Sequence, residues 1–224
     1  MRTVEGAVIA CAGLGSRLGM GMPKCMIEIG GVTLLSRLIQ ALTPLVPRIH
    51  VVVGYREELI VEHCARHHRD VVIVRNPAFR TTNTAHSIRM GSLGFRNKVL
   101  YLDGDLIIQP DSLRGFIEAA REVPLLVGMT RAKSSQAVFV TVRDAGDGQP
   151  AVIEAFHRDP ETTWEWANVF AGPPGLLEGA TRYVYECIEP QLPAAARALD
   201  LYEVDTPEDL LLAEAGIFEF TREG

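Results

Sequence analysis

The 224-residue chain has no apolar run approaching the roughly 20 residues that a membrane-crossing helix needs. A secretory leader is not expected: Met1-Arg2-Thr3-Val4-Glu5 passes straight into a strand pattern without the long apolar region of a signal peptide. Cys11, Cys25, Cys64 and Cys187 form no CxxC pair and no zinc-like spacing, which reads as core or near-core thiols in a reducing compartment. The expected location is therefore the cytoplasm. Positive charge is not in excess. A formal net charge of −6 speaks against a nucleic-acid binder and leaves room only for a local basic pocket for a small anion. Internal repeats, low-complexity tracts and linkers are absent. The remainder is ordinary for a globular protein, 47% apolar and 22% charged, and long enough for one well-buried core.

Short apolar runs alternate with helical spacing through the first half. Strands are expected at Gly6 to Ala12, His50 to Val53, Val71 to Val74, Val99 to Leu102 and Leu125 to Val127. Helices are expected from Thr33 to Leu42, from Glu57 to Arg66, and from an Asp111 cap to about Arg121. The second half is less regular. Ala137 to Val142 alternates like an antiparallel strand, Arg143 to Gln149 reads as a turn-rich tip, and His157 to Thr163 as a polar loop. Helical patterns return from Gly175 and from Pro207 to Ala215. The fold class is α/β: a Rossmann-like three-layer α/β/α domain with a mainly parallel mixed sheet. Residues 1–224 are read as one domain, with a small substrate-covering insertion within about 130–200.

The first strand ends in Ala12-Gly13-Leu14-Gly15-Ser16-Arg17-Leu18, followed by Pro23-Lys24. Glycines after a buried strand let backbone N–H groups approach phosphate closely, and Arg17 and Lys24 add the cations that a triphosphate needs. Two familiar glycine motifs do not fit. The dinucleotide fingerprint wants glycine where Leu18 stands, and the P-loop wants a longer gap and Gly-Lys-Ser/Thr. With Gly54-Tyr55-Arg56 after the second strand, where an acid would be needed, a dinucleotide-dependent oxidoreductase ranks low.

Ala10-Cys11-Ala12-Gly13-Leu14-Gly15-Ser16-Arg17-Leu18 with Pro23-Lys24 resembles the signature of the sugar-phosphate and phosphocholine nucleotidyltransferase superfamily. Cys11 replaces a small residue common there. Ile29-Gly30-Gly31-Val32-Thr33-Leu34-Leu35 is similar to the same family's entry into its first helix. The resemblance implies that Ala10, Ala12, Gly13, Gly15 and Ser16 wrap a nucleoside triphosphate. It implies that Arg17 meets the outer phosphates and that Lys24 neutralises charge at the reacting α-phosphate. A non-catalytic nucleotide-binding regulator would keep the turn but lose the metal-binding acids.

Those acids are present. Asp105 follows a buried strand and a glycine, at the strand end where open α/β sheets bind ligands, and Mg²⁺ prefers carboxylate, water and phosphate oxygens. Gly104-Asp105 resembles the family's metal motif, with Asp103 read as a structural or supporting carboxylate. Tyr202-Glu203-Val204-Asp205-Thr206-Pro207-Glu208-Asp209-Leu210 resembles its closing element, in which Asp205 would hold the same Mg²⁺. Thr206 suits a cap, Pro207 the first helical position, and Glu203 is a further candidate ligand. The chain continues only briefly past Asp205, so an appended β-helix is not expected.

Asn76 to Ser87 resembles the pattern of phosphocholine and phosphonate cytidylyltransferases more than that of sugar-specific relatives. It implies that Asn83 and Ser87 lie near the nucleotide or substrate phosphate, although capping alone would also explain them. The expected partners are therefore CTP and a small phosphate or phosphonate acceptor, with a sugar-1-phosphate or inositol phosphate as the alternative. Trp164, Trp166 and Tyr183 would suit a cationic head group; Asn168 and Glu154 would suit a polyol. His63, His67 and His68 are read as surface residues.

Overall fold

The computed structural model describes residues 3–14, 21–133, 137–143, 150–159 and 162–220. The chain runs through β1 (Val4–Cys11), the ribbon β2 (Glu28–Ile29) and β3 (Val32–Thr33), α1 (Leu34–Leu42), β4 (Ile49–Val53), α2 (Glu57–His67), β5 (Val72–Arg75), α3 (Thr84–Gly91) and β6 (Lys98–Asp103). It continues through β7 (Leu106–Ile108), α4 (Pro110–Ala120), β8 (Leu126–Arg131), β9 (Phe139–Arg143), β10 (Ala151–His157), β11 (Trp164–Gly172), α5 (Val184–Ile188), β12 (Ala194–Ala198), β13 (Leu201–Glu203) and α6 (Pro207–Phe220).

Nine strands form one sheet in the order β5-β4-β1-β6-β11-β8-β12-β10-β9. β5, β4, β1 and β6 pair in parallel; β11 then runs antiparallel to both β6 and β8, and β12 returns parallel to β8. Alternate residues of the parallel strands are buried on opposite faces. Ile9, Val51 and Leu100 pack with α1, α2 and α4 through Leu38, Ile60 and Phe116. Val8, Val52 and Tyr101 pack on the other face with α3 and α5 through Ile88 and Ile188. Helices thus cover both faces, which gives the three-layer α/β/α architecture and explains why these strands read as unbroken aliphatic runs. Strand order reverses between β1 and β6, and ligands of open α/β sheets sit at the carboxyl ends of strands flanking such a point.

Local chemistry accounts for several element ends. Gly30 and Gly31 both have positive φ (59° and 76°), as the two-residue turn joining β2 to β3 requires. Thr33 caps α1 by accepting from the Ser36 N–H at 3.1 Å. The cap of α4 differs from expectation. Gln109 takes that role, its side chain accepting from the Ser112 N–H at 2.5 Å; with Pro110 in the first turn, Asp111 lies inside the helix. Three strands, β10, β11 and β12, were not anticipated in the irregular second half. The expected helical pattern from Gly175 resolves into 3-10 turns and the five-residue α5. No helix among the described residues is long and apolar enough to cross a membrane.

Candidate functional site

The site grows from the carboxyl ends of β1 and β6. The Gly104 N–H donates to the Ala10 carbonyl at 2.9 Å and so ties the two strand ends together. A side chain at 104 would put its Cβ 2.5 Å from Cys11 Sγ and 2.9 Å from Ala10 O, so only glycine allows this approach. Asp103 and Asp105 stand on either side of it.

The chain-distant acids arrive on a second, two-stranded ribbon. β13 pairs antiparallel with β7, opposing Glu203 to Leu106, and the Val204 N–H donates to the Asp105 carbonyl at 3.0 Å. Val204 is fully buried against Ile27, Leu34 and Ile107. Asp205 is then fixed by the start of α6. Thr206 Oγ1 accepts from the Asp209 N–H at 3.2 Å, and Asp209 Oδ2 accepts from the Thr206 N–H at 2.8 Å and the Asp205 N–H at 3.2 Å. This reciprocal cap follows the capping-box pattern with aspartate in the glutamate position. Thr206 and Pro207 hold the positions expected of them.

Ligand oxygens of Asp105, Glu203 and Asp205 come within 4.8 Å of one another. Lys24 Nζ bonds Asp105 Oδ2 at 3.2 Å and also Asp205 Oδ1. Asp103 joins the same electrostatic group: burial first, then the Asp105 and Glu203 carboxylates, push it well above the usual carboxylate range, while Lys24 pulls against them. Burial and Asp105 likewise push Glu203 up to about 8, with Lys24 again opposing. Among the described residues, one ammonium stands among four carboxyl groups. Asp105 Oδ1 is buried and makes no hydrogen bond. An all-oxygen donor set with an unsatisfied carboxylate atom fits a hard divalent cation.

Two cavities meet at these acids. The smaller, about 440 Å³, is lined by Ala10, Ala12, Gly13 and Lys24 on one side and by Asn83 and Ser87 on the other. The larger, about 590 Å³, is lined by Lys133, Arg158, Trp166, Asn168, Tyr183 and Tyr185 among others. Asp103, Glu203 and Asp205 border both. Of the residues expected at the phosphates, Gly15, Ser16 and Arg17 lie outside the described residues. Asn83 and Ser87 reach the smaller cavity, but each also has a structural task. Asn83 caps α3 by accepting from the His86 N–H at 3.1 Å, and Ser87 Oγ accepts from Asn76 Nδ2 at 2.9 Å.

The larger cavity has an aromatic wall. Trp166 meets Tyr185 at 6.1 Å between ring centroids, and Tyr183 stacks on Tyr185 at 6.0 Å. Arg158 lies over Tyr185 at 5.2 Å and over Tyr183 at 6.0 Å. Trp164, expected alongside them, is instead covered by the Arg131 guanidinium at 4.1 Å and does not line the cavity. Glu154 also stays outside it, paired with Arg143 at 2.6 Å on the surface. Asn168 does line it and donates from Nδ2 to Glu203 Oε2 at 2.9 Å. Away from the site, His63 and His68 are half-buried rather than superficial, each with Nε2 2.7 Å from Ser36 Oγ.

The structure is thus a Rossmann-like sheet with an acid cluster beside its switch point, between two cavities. Residues 7–168 match the family model described as the MobA-like NTP transferase domain, and the chain belongs to that family. It is 34% identical over 150 residues to the bifunctional protein GlmU of Neisseria meningitidis serogroup A, covering 66% of this chain and 32% of GlmU. The chain thus spans about a third of that relative's length. In fold it is similar to the inositol-1-phosphate CTP transferase from T. maritima (TM-score 0.76, 18% identity, 98% of this chain and 97% of that one). It is equally similar to the CTP:phosphocholine cytidylyltransferase LicC from Streptococcus pneumoniae (TM-score 0.77, 18% identity, 97% and 100%).

Proposed function

We propose that the chain catalyses nucleotidyl transfer: a phosphate or phosphonate oxygen of a small acceptor attacks the α-phosphate of a nucleoside triphosphate, and pyrophosphate leaves. The observation that carries this reading is the acid cluster shared by two cavities and bridged by Lys24. The triphosphate belongs in the smaller cavity, against the turn after β1; the acceptor belongs in the larger one. Asp105 and Asp205, with Glu203 beside them, would hold Mg²⁺, which when bound supplies charge neutralisation for the phosphates. Lys24 places its ammonium at the junction where the α-phosphate and the attacking oxygen meet. Arg17 is assigned to the outer phosphates. No general base is needed, because a phosphate oxygen is already ionised near neutral pH. The protein contributes alignment and fixed charge.

CTP is the favoured nucleotide, supported by the Asn76 to Ser87 pattern and by the place of Asn83 and Ser87 on the smaller cavity. For the acceptor, the aromatic faces that a trimethylammonium group would seek are already met by the Arg158 guanidinium. A second cation there would be repelled, so the reading favours a neutral or anionic far end. The test is a matrix of four nucleoside triphosphates against phosphocholine, 2-aminoethylphosphonate, 2-hydroxyethylphosphonate, inositol phosphate and hexose 1-phosphates, read by pyrophosphate release. CTP with a small non-cationic acceptor should lead. Preference for UTP, GTP or dTTP with a hexose 1-phosphate would overturn the cytidylyl part alone. No release with any pair would overturn the transfer itself.

A further inference from the structure

β11 carries an irregularity that faces the acids. Its pairing with β8 shifts register between Trp166 and Phe170. Within that interval Asn168 adopts a left-handed backbone, φ 54°, one of two non-glycine residues with positive φ among the described residues. An L-residue enters that region at a cost, which asparagine bears better than most. Strand irregularities of this kind re-aim a side chain, and backbone strain gathers at functional positions. Here the amide is aimed at Glu203: Nδ2 donates to Oε2 at 2.9 Å, and among the described residues no other group hydrogen-bonds that carboxylate.

We infer that Asn168 is a positioning residue: it holds the Glu203 carboxylate in the acid cluster, and the left-handed bend in β11 exists to bring its amide there. The residue type follows from electrostatics. Lys24 is already committed to Asp105 and Asp205, leaving Glu203 among like charges. A second lysine at 168 would orient Glu203 but also cancel the charge that attracts a cation. Aspartate would add repulsion and remove the donor. A neutral amide fixes one carboxylate oxygen, adds no net charge, and leaves Oε1 to face a metal ion. Groups that orient metal-binding side chains in this way are typically worth about 10–100-fold in metal affinity.

The inference rests on the metal part of the proposed function, and Mn²⁺ binding to the full chain, followed by electron paramagnetic resonance without substrates, tests it. Asn168→Gly keeps a residue at ease with positive φ and removes only the amide. It should unfold within a few degrees of the parent yet bind Mn²⁺ about 10–100-fold more weakly. In a cycle with Glu203→Gln, the double variant Asn168→Gly/Glu203→Gln should bind no more weakly than Glu203→Gln alone, because Asn168 acts through Glu203. Unchanged Mn²⁺ affinity in Asn168→Gly, additive losses in the cycle, or no Mn²⁺ binding by the parent would each overturn the inference. So would a raised acceptor KM with unaltered metal affinity, which would make Asn168 an acceptor contact instead. A parent that binds Mn²⁺ but releases no pyrophosphate would sink the transfer reading and leave the Asn168 assignment standing.

Discussion

Residues 4–103 and residues 126–198 build the two sides of one sheet by different rules. The first side is parallel, aliphatic and covered on both faces, and it ends at the switch point where Ala10, Gly13, Gly104 and Asp105 converge. The second is mainly antiparallel, is broken in register at β11, and supplies Trp166 and Asn168 to the larger cavity. The difference separates two tasks. On the proposed reading, regular parallel strands place the groups that would meet the phosphates and the metal ion. Irregular antiparallel strands shape the wall that would meet the acceptor. The β7–β13 ribbon joins them by setting Glu203 and Asp205 beside Asp105. Changes on the first side and at the junction should therefore damage every substrate pair alike, while changes on the second should discriminate between acceptors.

The largest effect is expected at the junction. Asp105→Ala and Asp205→Ala should each lower turnover with every acceptor by about 1,000-fold, as each removes a proposed cation ligand and an anchor of Lys24. Circular dichroism should show the fold intact. Near-parent pyrophosphate release by either purified variant would remove it from the metal site. Lys24→Ala should come next, lowering turnover by about 100–1,000-fold, or roughly 2.7–4 kcal/mol, more than it lowers nucleotide affinity. The factor should be the same for all acceptors. An acceptor-dependent loss would break the division between the two sides.

Arg158 probes the other side at smaller scale. Arg158→Gln uncovers the faces of Tyr183 and Tyr185 without changing the phosphate groups. The ratio of kcat/KM for phosphocholine to that for a polyol phosphate should rise about 2- to 5-fold, the range of an exposed cation–π contact of about 0.5–1 kcal/mol. A uniform change across acceptors would show that Arg158 does not sort them.

The two sides were also unequally legible in the sequence. β1, β4 and β6 announce themselves as aliphatic runs bounded by turn residues, and the glycine turn and Asp105 are anchored to the ends of those runs. β12 is Ala194-Ala195-Ala196-Arg197-Ala198, a composition with little strand preference that becomes a strand only through its neighbours β8 and β10. β11 mixes tryptophan, glutamate and asparagine, and its register shift breaks the alternation that would reveal a strand. Asp205 stood out through the resemblance of Asp205-Thr206-Pro207-Glu208-Asp209-Leu210 to the family's closing element. Glu203 stood only as a further candidate, since nothing local tells which acids a distant ribbon will bring together. Asn168, which hydrogen-bonds it, was expected only as a partner for a polyol: a left-handed asparagine within a strand shows itself only in three dimensions.

The smallest expected effect is on stability, and it too divides the molecule. His50, His63 and His68 all belong to the first side, and burial is the leading cause that holds each below the ordinary histidine value of 6.5. His50 is buried with Nδ1 2.7 Å from the Gly91 carbonyl, while Arg48 disfavours its charge. His63 and His68 share the Ser36 hydroxyl and stand near His67, and Glu28 partly favours charge on His63. That hydroxyl has one hydrogen to give, so at most one imidazole can accept from it and the other must donate. Two imidazolium rings would both donate, and would repel each other at 5.6 Å between centroids. The sign follows from the lowered folded values. The unfolded chain takes up protons first, so stability is full above about pH 6.5, falls as pH drops through that value, and levels off below the folded values. Urea unfolding at pH 7.5 and 5.5 should show the loss, and His63→Gln/His68→Gln should shrink it. Amide-exchange protection factors should fall first in α1 and α2, ahead of β9 and β10. Equal loss of protection on both sides would show that acid acts on the sheet as one unit and erase this part of the contrast.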